Sequence, residues 1–361
     1  MRQKLKIRLN YYNAFIRFAA LIFMTQESHT YRYEKPFQLE RGATLPRLDI
    51  AYHTFGELNE EKSNVVWVFH ALTANANALD WWSGLLTEQS AINTNEHFIV
   101  CANILGSPYG TTSPLSIDPS TEKPYYSTFP PITIRDMVKA HQLLRNHLGI
   151  DKIAIGLGGS MGGFQTYEWA IQEPDTFEKV ILVASAPKET PWRVAVHSAQ
   201  RMAIEADPTW RDDSHTAGAK GLAASRAIGM LSYRNHVTFE QTQLDSEEKF
   251  DDFAADSYMR YQGEKLSKRK FNGFLLWNLT KALDSHDIGR GRGGLDFVLS
   301  ILEIPVLQIG ITSDLLFPIE EQNRIAKKIP HVTYHAIDSM YGHDGFLTES
   351  KKINKLIQEF L

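Results

Sequence analysis

The chain has 361 residues, of which 43% are hydrophobic and 22% charged, and its formal net charge is −4. This balance is typical of a globular protein with one large core, and the charge argues against nucleic acid as a partner. The single cysteine, Cys101, excludes disulfide bonds within the chain, so we expect a reducing compartment, the cytoplasm. No apolar run reaches the roughly 18 residues that a spanning helix needs, so no membrane segment is predicted.

Residues 1–26 form a basic N-terminal segment with five lysine or arginine residues and no acidic one. A short apolar run follows Arg17 and extends to Met24. Three interpretations are open: an upstream start codon with Met24 as the true first residue, a secretory signal, or a basic transit peptide. Arg17 interrupts the apolar stretch, no A-x-A site follows and serine is scarce, which favours the first. We therefore treat residues 1–24 as an extension or a mis-assigned start, outside the fold.

The segments that follow predict strands and helices in regular alternation. Residues 37–40 and 48–52 alternate between apolar and polar side chains around Gly42, which predicts two antiparallel strands. Continuous apolar runs then predict strands buried on both faces, and stretches with helical spacing predict helices between them. The predicted buried strands are 64–70, 98–103, 152–157 and 180–184, and the predicted helices are 134–148 and 164–172. This rhythm indicates a mostly parallel sheet with right-handed crossovers.

The rhythm of strands and helices stops after Pro187. Residues 188–300 are charged, poor in strand patterns and rich in helical ones, such as 219–231 and 248–260. Strand patterns return at 304–310 and 332–337. We therefore predict a core made of residues 25–187 and 301–361, into which a helical cap of residues 188–300 is inserted.

The segment 158–163, Gly-Gly-Ser-Met-Gly-Gly, follows a predicted strand and precedes a predicted helix. A serine between small residues in that context indicates the nucleophile elbow of an α/β-hydrolase fold. The tight turn lifts the hydroxyl of Ser160 out of the sheet and leaves the backbone N–H of Met161 free to stabilise an oxyanion. The spacing does not match the dinucleotide fingerprint G-x-G-x-x-G. A glycine-rich turn that only packs a helix against a strand is the alternative.

A serine hydroxyl needs an adjacent base, and in this fold the partners follow in the order serine, acid, histidine. Asp314 comes just after the predicted strand 304–310, and His343 lies in a loop after the last predicted strand. Both therefore lie at the carboxyl edge of the sheet. We predict His343 as general base and Asp314 as the carboxylate that orients it. Asp338 is the alternative acid, and His286 is the alternative histidine.

The second oxyanion donor is expected in the loop after the first central strand, where position alone favours the backbone N–H of Leu72. His70 precedes Ser160, which is the wrong chain order for the base, so we expect it to order this loop. The 13 histidines are scattered without H-E-x-x-H spacing, and one cysteine cannot build a cysteine-rich zinc site. No metal site and no Walker A motif are predicted.

Together these motifs resemble the homoserine O-acyltransferase family, enzymes of methionine biosynthesis with an α/β-hydrolase fold. The resemblance runs from about residue 35 to the C-terminus. It rests most on the segments 133–138 and 285–293, because an isolated G-x-S-x-G is shared by many hydrolases. The matching segments are HALT (70–73), NILG (103–106), YGTT (109–112), TIRDMV (133–138), GGSMGG (158–163), LSYR (231–234), SHDIGRGRG (285–293) and GHDGFL (342–347).

The resemblance implies a ping-pong reaction without a tightly bound cofactor. An acyl-CoA, most often acetyl-CoA, acylates Ser160, and the hydroxyl of L-homoserine then attacks with His343 as base. Arg226 and Tyr233 match positions that line the acceptor pocket in the family, where Arg226 would hold the substrate carboxylate as a bidentate pair. Asp344 would receive the ammonium group. The resemblance also implies a homodimer that pairs through the cap helices.

The chain departs from the family pattern at two places. Residues 106–109 read Gly-Ser-Pro-Tyr without the cysteine that the family often has, and Ser113-Pro114 stands where Gly-Pro is frequent. Both leave the shape of the acyl pocket open, so a succinyl donor and a serine acceptor are alternatives. Two further alternatives concern the function itself: a serine esterase that uses the same triad, and a non-catalytic binding module. Arg226, Asp344 and the cap favour an amino acid over water as acceptor.

Overall fold

An eight-stranded sheet forms the centre of the computed structural model, which describes residues 27–361. The prediction for residues 1–24 lies outside the described residues. The strands of the protein are β1 (Glu27–Tyr33), β2 (Phe37–Gln38), β3 (Thr44–Leu45), β4 (Leu48–Phe55), β5 (Val65–Phe69), β6 (Phe98–Ala102), β7 (Ile117–Asp118), β8 (Lys123–Pro124), β9 (Ile153–Gly159), β10 (Phe177–Val183), β11 (Val306–Ile311) and β12 (Val332–Ile337).

The strand order in the central sheet is β1-β4-β6-β5-β9-β10-β11-β12. All neighbours from β6 to β12 are parallel, and β1 and β4 extend the sheet as an antiparallel edge. Every residue of β5 is buried, because alternate side chains of a strand point to opposite faces and both faces are covered. Trp67 packs into the core on one face, and Val66 and Val68 pack into the core on the other. The predicted mostly parallel sheet is confirmed.

The antiparallel edge differs from the prediction. The sequence predicts that residues 37–40 pair with 48–52, but β4 pairs with β1, in the register Glu27 to Thr54. The short strand β2 pairs instead with β3 across the turn at Gly42, whose φ is 91°. Pro46 follows β3 directly and cannot donate to a strand ladder, so the hairpin ends there and Leu48 begins a new strand.

Helices cover both faces of the sheet. They are α1 (Ala78–Trp82), α2 (Ile134–His147), α3 (Met161–Gln172), α4 (Pro191–Glu205), α5 (Ala219–Tyr233), α6 (His236–Thr242), α7 (Ala254–Lys268), α8 (Gly273–Asp284), α9 (Leu295–Ser300), α10 (Ile319–Ala326), α11 (Gly345–Thr348) and α12 (Ser350–Phe360), with single 3-10 turns at Ser83–Leu85, Tyr126–Thr128 and Gly342–Asp344. Helix α2 begins with a capping box, in which Thr133 and Asp136 satisfy each other's backbone N–H groups.

Six helices, α4 to α9, lie between β10 and β11, and the structure, which describes all of residues 188–300, has no strand there. This is the segment for which the sequence predicts a cap. Helix α7 covers Ala254–Lys268, whereas the sequence predicts a helix over 248–260. Phe253 stands at the start of α7 with extended backbone angles, so the chain before it, where the prediction begins, is not helical.

Buried charges fasten the end of the helical segment to the core. Glu168 of α3 is only 1% exposed, and its Oε1 lies 2.6 Å from a guanidinium nitrogen of Arg292 and 3.2 Å from Nε of Arg135. Arg135 also donates to the backbone oxygen of Arg290 at 2.7 Å, and Arg290 in turn donates to Glu40. The two segments on which the family resemblance rests most, 133–138 and 285–293, therefore contact each other.

We expect Glu168→Ala to lower the free energy of unfolding by about 3 kcal/mol, because it leaves two guanidinium groups without their buried partner. This is the low end for a buried pair, since Arg135 and Arg292 keep some contact with water. Urea denaturation measures the change. Glu359→Ala, which removes an exposed partner of Lys355, is the control and should cost at most ~0.5 kcal/mol. Equal losses in the two variants would mean that the buried carboxylate of Glu168 does not stabilise this contact between the helical segment and the core.

Candidate active site

Ser160 stands at a strained turn between β9 and α3. Its backbone angles are φ 54° and ψ −126°, in a region that side-chain-bearing residues rarely occupy. The glycines around it allow this turn. A methyl group at Gly162 would collide with the carbonyl oxygen of Phe69, and one at Gly158 would collide with the backbone of Gly162. The turn thus presents the serine side chain above the carboxyl edge of the sheet, where the N-terminus of α3 begins.

The structure brings Ser160, His343 and Asp314 together, although they are far apart in the chain. His343 Nε2 lies 2.8 Å from Ser160 Oγ, and His343 Nδ1 lies 2.7 Å from Asp314 Oδ2. His343 comes from the turn after β12, and Asp314 comes from the loop after β11. With Nδ1–H donating to the carboxylate, Nε2 can accept the serine proton, which is the geometry that general-base activation of a hydroxyl requires.

The surroundings hold this arrangement in place. Asp314 is 3% exposed, and its second oxygen, Oδ1, accepts hydrogen bonds from the backbone N–H groups of Leu316 and Phe317 at 2.8 and 3.0 Å. The imidazole of His343 lies between the rings of Phe317 and Phe346, each with its centroid 5.1 Å away. These contacts fix the orientation of both side chains before any ligand binds.

The two alternative residues occupy other places. Asp338 is exposed, and its carboxylate accepts a hydrogen bond from Thr312 Oγ1 at 3.1 Å. His286 is buried and stacked on Phe164 with ring centroids 4.3 Å apart. Burial and the nearby charge of Arg193 hold the pKa of His286 well below its usual range. The hydrogen-bond partners of His343 are Ser160 and Asp314, so Asp338 does not occupy the position beside this imidazole.

Two backbone N–H groups are available beside Ser160. Met161 is the first residue of α3, so its N–H has no acceptor within the helix. In the loop after β5, the carbonyl oxygen of Ala71 accepts from His70 Nδ1 at 2.9 Å and from the N–H of Ala74 at 3.0 Å. Because the C=O and N–H of a trans peptide point in opposite directions, the N–H of Leu72 points away from His70.

His70 has a fixed tautomer in this loop. Its Nε2 accepts from the backbone N–H of Ile104 at 3.0 Å, so the proton lies on Nδ1. The side chain is completely buried, and burial lowers the pKa of His70 to about 4. The neutral ring therefore links two loops, as the sequence predicts for a histidine that orders this region rather than acting as a base.

A cavity of about 690 Å³ opens above Ser160 and is walled by both the sheet and the cap helices. Seven of the eight residues singled out by the sequence line it; the eighth, Asp314, lies behind His343. The residues in the cavity wall are Leu72, Ser160, Met161, Arg226, Tyr233, His343 and Asp344. One space is thus bounded by the hydrogen-bonded pair Ser160 and His343 and by charged groups from the segment 188–300.

Charged and polar groups from α5 face Asp344 at one side of the cavity. The guanidinium of Arg226 lies over the ring of Tyr233, 5.4 Å from its centroid. Arg234 Nε lies 3.1 Å from Asp344 Oδ2, within ion-pair distance although the N–H does not point at the oxygen. Burial raises the pKa of Asp344, and the charges of Arg234, His343 and Arg226 oppose that rise. Arg226 and Arg234 therefore make this side positive.

Sequence reasoning missed Arg234, which lies in the cavity wall beside Asp344. It follows Tyr233 directly, at the point where α5 ends. Arg234 is also the last residue of the segment 231–234, which contributes to the family resemblance. That segment was the available signal, because a residue adjacent to a predicted pocket position is a natural candidate for the same pocket.

Sequence reasoning also missed a buried charge cluster in the cavity wall. Its members are Glu189, Arg193 and His197, which come from the start of the cap. Arg193 is paired in addition with Glu321 of the core, at 2.7 Å. Arg193 and Glu321 are 128 residues apart in the chain, so no local sequence pattern predicts this contact. The cluster joins the cap to the core beside the cavity.

Among residues 27–361, no group of three or more histidine, cysteine, aspartate or glutamate side chains could hold a metal ion. Within the same residues, no helix combines the length and the apolar character that crossing a bilayer requires.

Comparison with known proteins identifies the family. Residues 64–350 match the family model described as alpha/beta hydrolase fold. The homoserine O-acetyltransferase of Cyclobacterium marinum is 49% identical over 339 residues, which cover 94% of this chain and 96% of that protein. The chain belongs to the homoserine O-acetyltransferase family. Its relative in Chlorobaculum tepidum, also a homoserine O-acetyltransferase, is 42% identical over 90% of this chain and 92% of its own length.

Solved structures include both transferases and hydrolases with this fold. A homoserine O-acetyltransferase from Bacillus anthracis superposes with a TM-score of 0.86 at 25% identity, covering 93% of this chain and 97% of that one. An acetylester hydrolase from Corynebacterium glutamicum superposes with a TM-score of 0.81 at 26% identity, covering 92% and 95%. The fold alone therefore does not distinguish acyl transfer from hydrolysis, and the chemistry of the cavity has to do so.

We expect Asp314→Asn to slow covalent labelling of Ser160 by a fluorophosphonate by about three to four orders of magnitude, because the imidazole loses the partner that fixes its tautomer. Asp338→Asn is the matched control and should label at the wild-type rate, since Asp338 is exposed and bonded to Thr312. Mass spectrometry of the labelled peptide gives both rates. A large loss in the control with none in Asp314→Asn would assign the acid to Asp338 instead.

Proposed function

We propose that this protein is a homoserine O-acetyltransferase, which moves an acetyl group from acetyl-CoA to the hydroxyl of L-homoserine through an acyl-serine at Ser160. The observation that carries the proposal is that Ser160 and His343 share one cavity with Arg226 and Asp344. A nucleophile with its base can accept an acyl group, and a cation with an anion nearby suits an amino acid. The identity of the relatives supports the same reaction.

In the first half-reaction, Ser160 Oγ attacks the thioester carbonyl while His343 Nε2 takes the serine proton. Asp314 stabilises the imidazolium that forms. The negative charge on the carbonyl oxygen is stabilised by the N–H groups of Leu72 and Met161, for which the orientation of the peptide after Ala71 is the supporting observation. The imidazolium then protonates the CoA thiolate, the C–S bond breaks, and the acetyl group stays on Ser160.

In the second half-reaction, His343 takes the proton of the homoserine hydroxyl, and the resulting oxygen attacks the carbonyl carbon of the acetyl-serine. The ester bond to Ser160 then breaks, the imidazolium returns the proton to Ser160 Oγ, and O-acetylhomoserine leaves. Arg226 holds the substrate carboxylate, and Asp344 receives the ammonium group. Arg234 Nε lies 3.1 Å from the carboxylate of Asp344, so the ammonium group would share this carboxylate with a cation of the protein. The ring of Tyr233 is near both the imidazole and the acceptor cation, 6.0 Å from the ring of His343 and 5.4 Å from the guanidinium of Arg226.

A serine esterase is the second candidate, and the similarity to an acetylester hydrolase favours it. Both reactions form the same acyl-serine and differ in whether water or a hydroxyl accepts the acyl group. The charged groups around Asp344, which are Arg226 of α5 and Arg234 directly after it, favour an amino-acid acceptor, because an esterase of simple substrates does not need them. A succinyl donor and a serine acceptor are variants of the same transfer reaction.

The proposed reaction also bears on the cofactor, the pathway and the cellular location of the protein. The residues that act in it belong to the chain itself, and no tightly bound cofactor is required. Acetylated homoserine would supply sulfur incorporation, which places the enzyme in methionine biosynthesis. We further propose a cytoplasmic location, which the single buried cysteine suits.

We also propose that two copies of the chain pair through the cap. Large apolar side chains are exposed on its helices and loops, among them Met202, Leu231, Leu244 and Phe250 with exposures of 63% to 98%. Leu231 and Leu244 line one apolar groove together with Phe239. An exposed apolar surface of this kind is typical of an interface between subunits.

The function is tested by thiol release from acetyl-CoA and succinyl-CoA, each with and without L-homoserine. We expect fast release from acetyl-CoA that depends on homoserine and is abolished in Ser160→Ala, because the acyl group then has no nucleophile. Ser300→Ala, an exposed serine of α9, is the control and should keep full activity. Preference for succinyl-CoA would change the donor only. Release that is independent of homoserine would establish the esterase instead.

The same assay examines the acceptor site through Arg226→Lys, which keeps the charge and removes the planar pair of donors. The KM for homoserine should rise about tenfold or more. Arg211→Lys is the matched control, because Arg211 also lies over an aromatic ring, 4.9 Å from the centroid of Trp210, but outside the cavity. Equal KM values for homoserine in the two variants would mean that Arg226 does not bind the acceptor.

Sedimentation velocity tests the pairing. We expect the wild-type chain to sediment as a dimer and the double variant Leu231→Asp, Leu244→Asp as a monomer, because two charges cannot be buried in an apolar interface. Ile117→Asp, at an exposed apolar position on β7 of the core, is the control and should remain a dimer. A wild-type monomer at every concentration would contradict the proposal.

A further inference from the structure

The wall of the cavity is strongly positive in a chain whose net charge is negative. Seven arginine or lysine side chains line the cavity against three acidic ones, whereas the whole chain has a formal net charge of −4. Four of the seven come from six consecutive positions at the end of α7. We call these four the mouth cluster: Lys265, Lys268, Arg269 and Lys270.

The backbone next to the mouth cluster is held in the fold, while the charged side chains of the cluster reach solvent. Phe271, directly after it, is 3% exposed, and its ring lies 6.0 Å from that of Tyr109 in a core loop. Asn272 then caps α8 by accepting from the backbone N–H of Leu275. The side chains of the mouth cluster are exposed, so they stand at the rim of the cavity between a cap helix and the core.

Few acidic groups neutralise these cations. Arg193 and Arg234, deeper in the cavity wall, are paired with carboxylates. In the mouth cluster, Lys268 has only an exposed contact to Glu264 at 3.8 Å. Within residues 27–361, Arg269 and Lys270 have no ion pair with an acidic side chain. The helix dipole stabilises cations near a helix C-terminus, but this small stabilisation fades beyond the last turn. Arg269 and Lys270 follow the end of α7, so the dipole does little to stabilise their charges.

We propose that the mouth cluster binds the phosphate groups of the acyl-CoA donor. This inference rests on the proposed function, which makes an acyl-CoA the first substrate. The donor carries its thioester at one end and three phosphate groups near the other. The thioester must reach Ser160 inside the cavity, whereas burying the phosphates without partners would be costly, so they stay at the rim. Lysine and arginine side chains at that rim give them charge-assisted hydrogen bonds.

The mouth cluster would also act on the acyl-CoA before it contacts the protein. A group of like charges at the opening of a cavity attracts an oppositely charged substrate and raises its rate of association, and added salt weakens the effect. An acyl donor without phosphates would gain nothing from it. The mouth cluster thus selects the donor by its phosphate groups, which take no part in the acyl transfer.

The test compares acetyl-CoA with acetyl-pantetheine, which has the same thioester and no phosphate. For the triple variant Lys268→Ala, Arg269→Ala, Lys270→Ala we expect the KM for acetyl-CoA to rise about tenfold or more, with kcat and the KM for acetyl-pantetheine unchanged. Acetyl-dephospho-CoA, which lacks one phosphate group, should show a smaller rise. The KM of the wild type for acetyl-CoA should increase with salt, and that of the variant should increase less, because Lys265 is the member of the mouth cluster that remains.

The double variant Lys351→Ala, Lys355→Ala is the matched control on α12. Lys355 has an exposed contact to Glu359 at 3.8 Å, the same as that of Lys268 to Glu264, and neither control lysine lines the cavity. The control should leave every KM unchanged. Equal rises in KM for acetyl-CoA and acetyl-pantetheine in the triple variant, or no rise for either, would overturn the inference.

Binding of CoA itself, measured by calorimetry, separates this inference from the proposed function. If the wild type binds CoA and the triple variant binds it at least about tenfold more weakly, the mouth cluster is supported even if no acetyl group reaches homoserine. If the wild type transfers acetyl groups, and the triple variant and the wild type bind CoA equally tightly, the inference fails while the proposed function stands.

Discussion

The close approach of α3 to the end of β5 sets the geometry of the whole site. Gly162 lies so near the carbonyl oxygen of Phe69 that no side chain fits between them. Met161 comes one residue before this contact, and the loop with His70 and Leu72 follows it on the other side. The contact therefore fixes how far the two backbone N–H groups lie from each other and from Ser160. A larger residue at position 162 would separate all three.

Local patterns made the core of the site predictable. Strand β9, the glycines around Ser160 and the start of α3 are neighbours in the chain, so their sequence pattern indicates the elbow directly. The placement of Asp314 and His343 follows from a parallel sheet, whose strands all end at one edge. In this sense the sequence already indicates that Ser160, His343 and Asp314 lie together, before any contact between them is known.

Features that depend on distant pairing were not predictable in the same way. The edge strand β4 could pair with either of two earlier segments, and side-chain alternation alone did not distinguish them. The ion pair of Arg193 with Glu321 joins positions far apart in the chain. In the cap, helical spacing is compatible with several start points, which explains why α7 begins later than the sequence predicts.

The charge contacts between cap and core have a consequence for how such a protein can diverge. Near the start of the cap, Arg193 pairs with Glu321 of the core, and near its end Arg292 pairs with Glu168. A cap exchanged alone by recombination would leave Glu321 of the host core without Arg193, and Glu168 with Arg135 as its remaining guanidinium partner. The unit that can be inherited or transplanted is therefore the cap together with these core residues. Point substitutions on the cavity-facing helices are the easier route to a new acceptor.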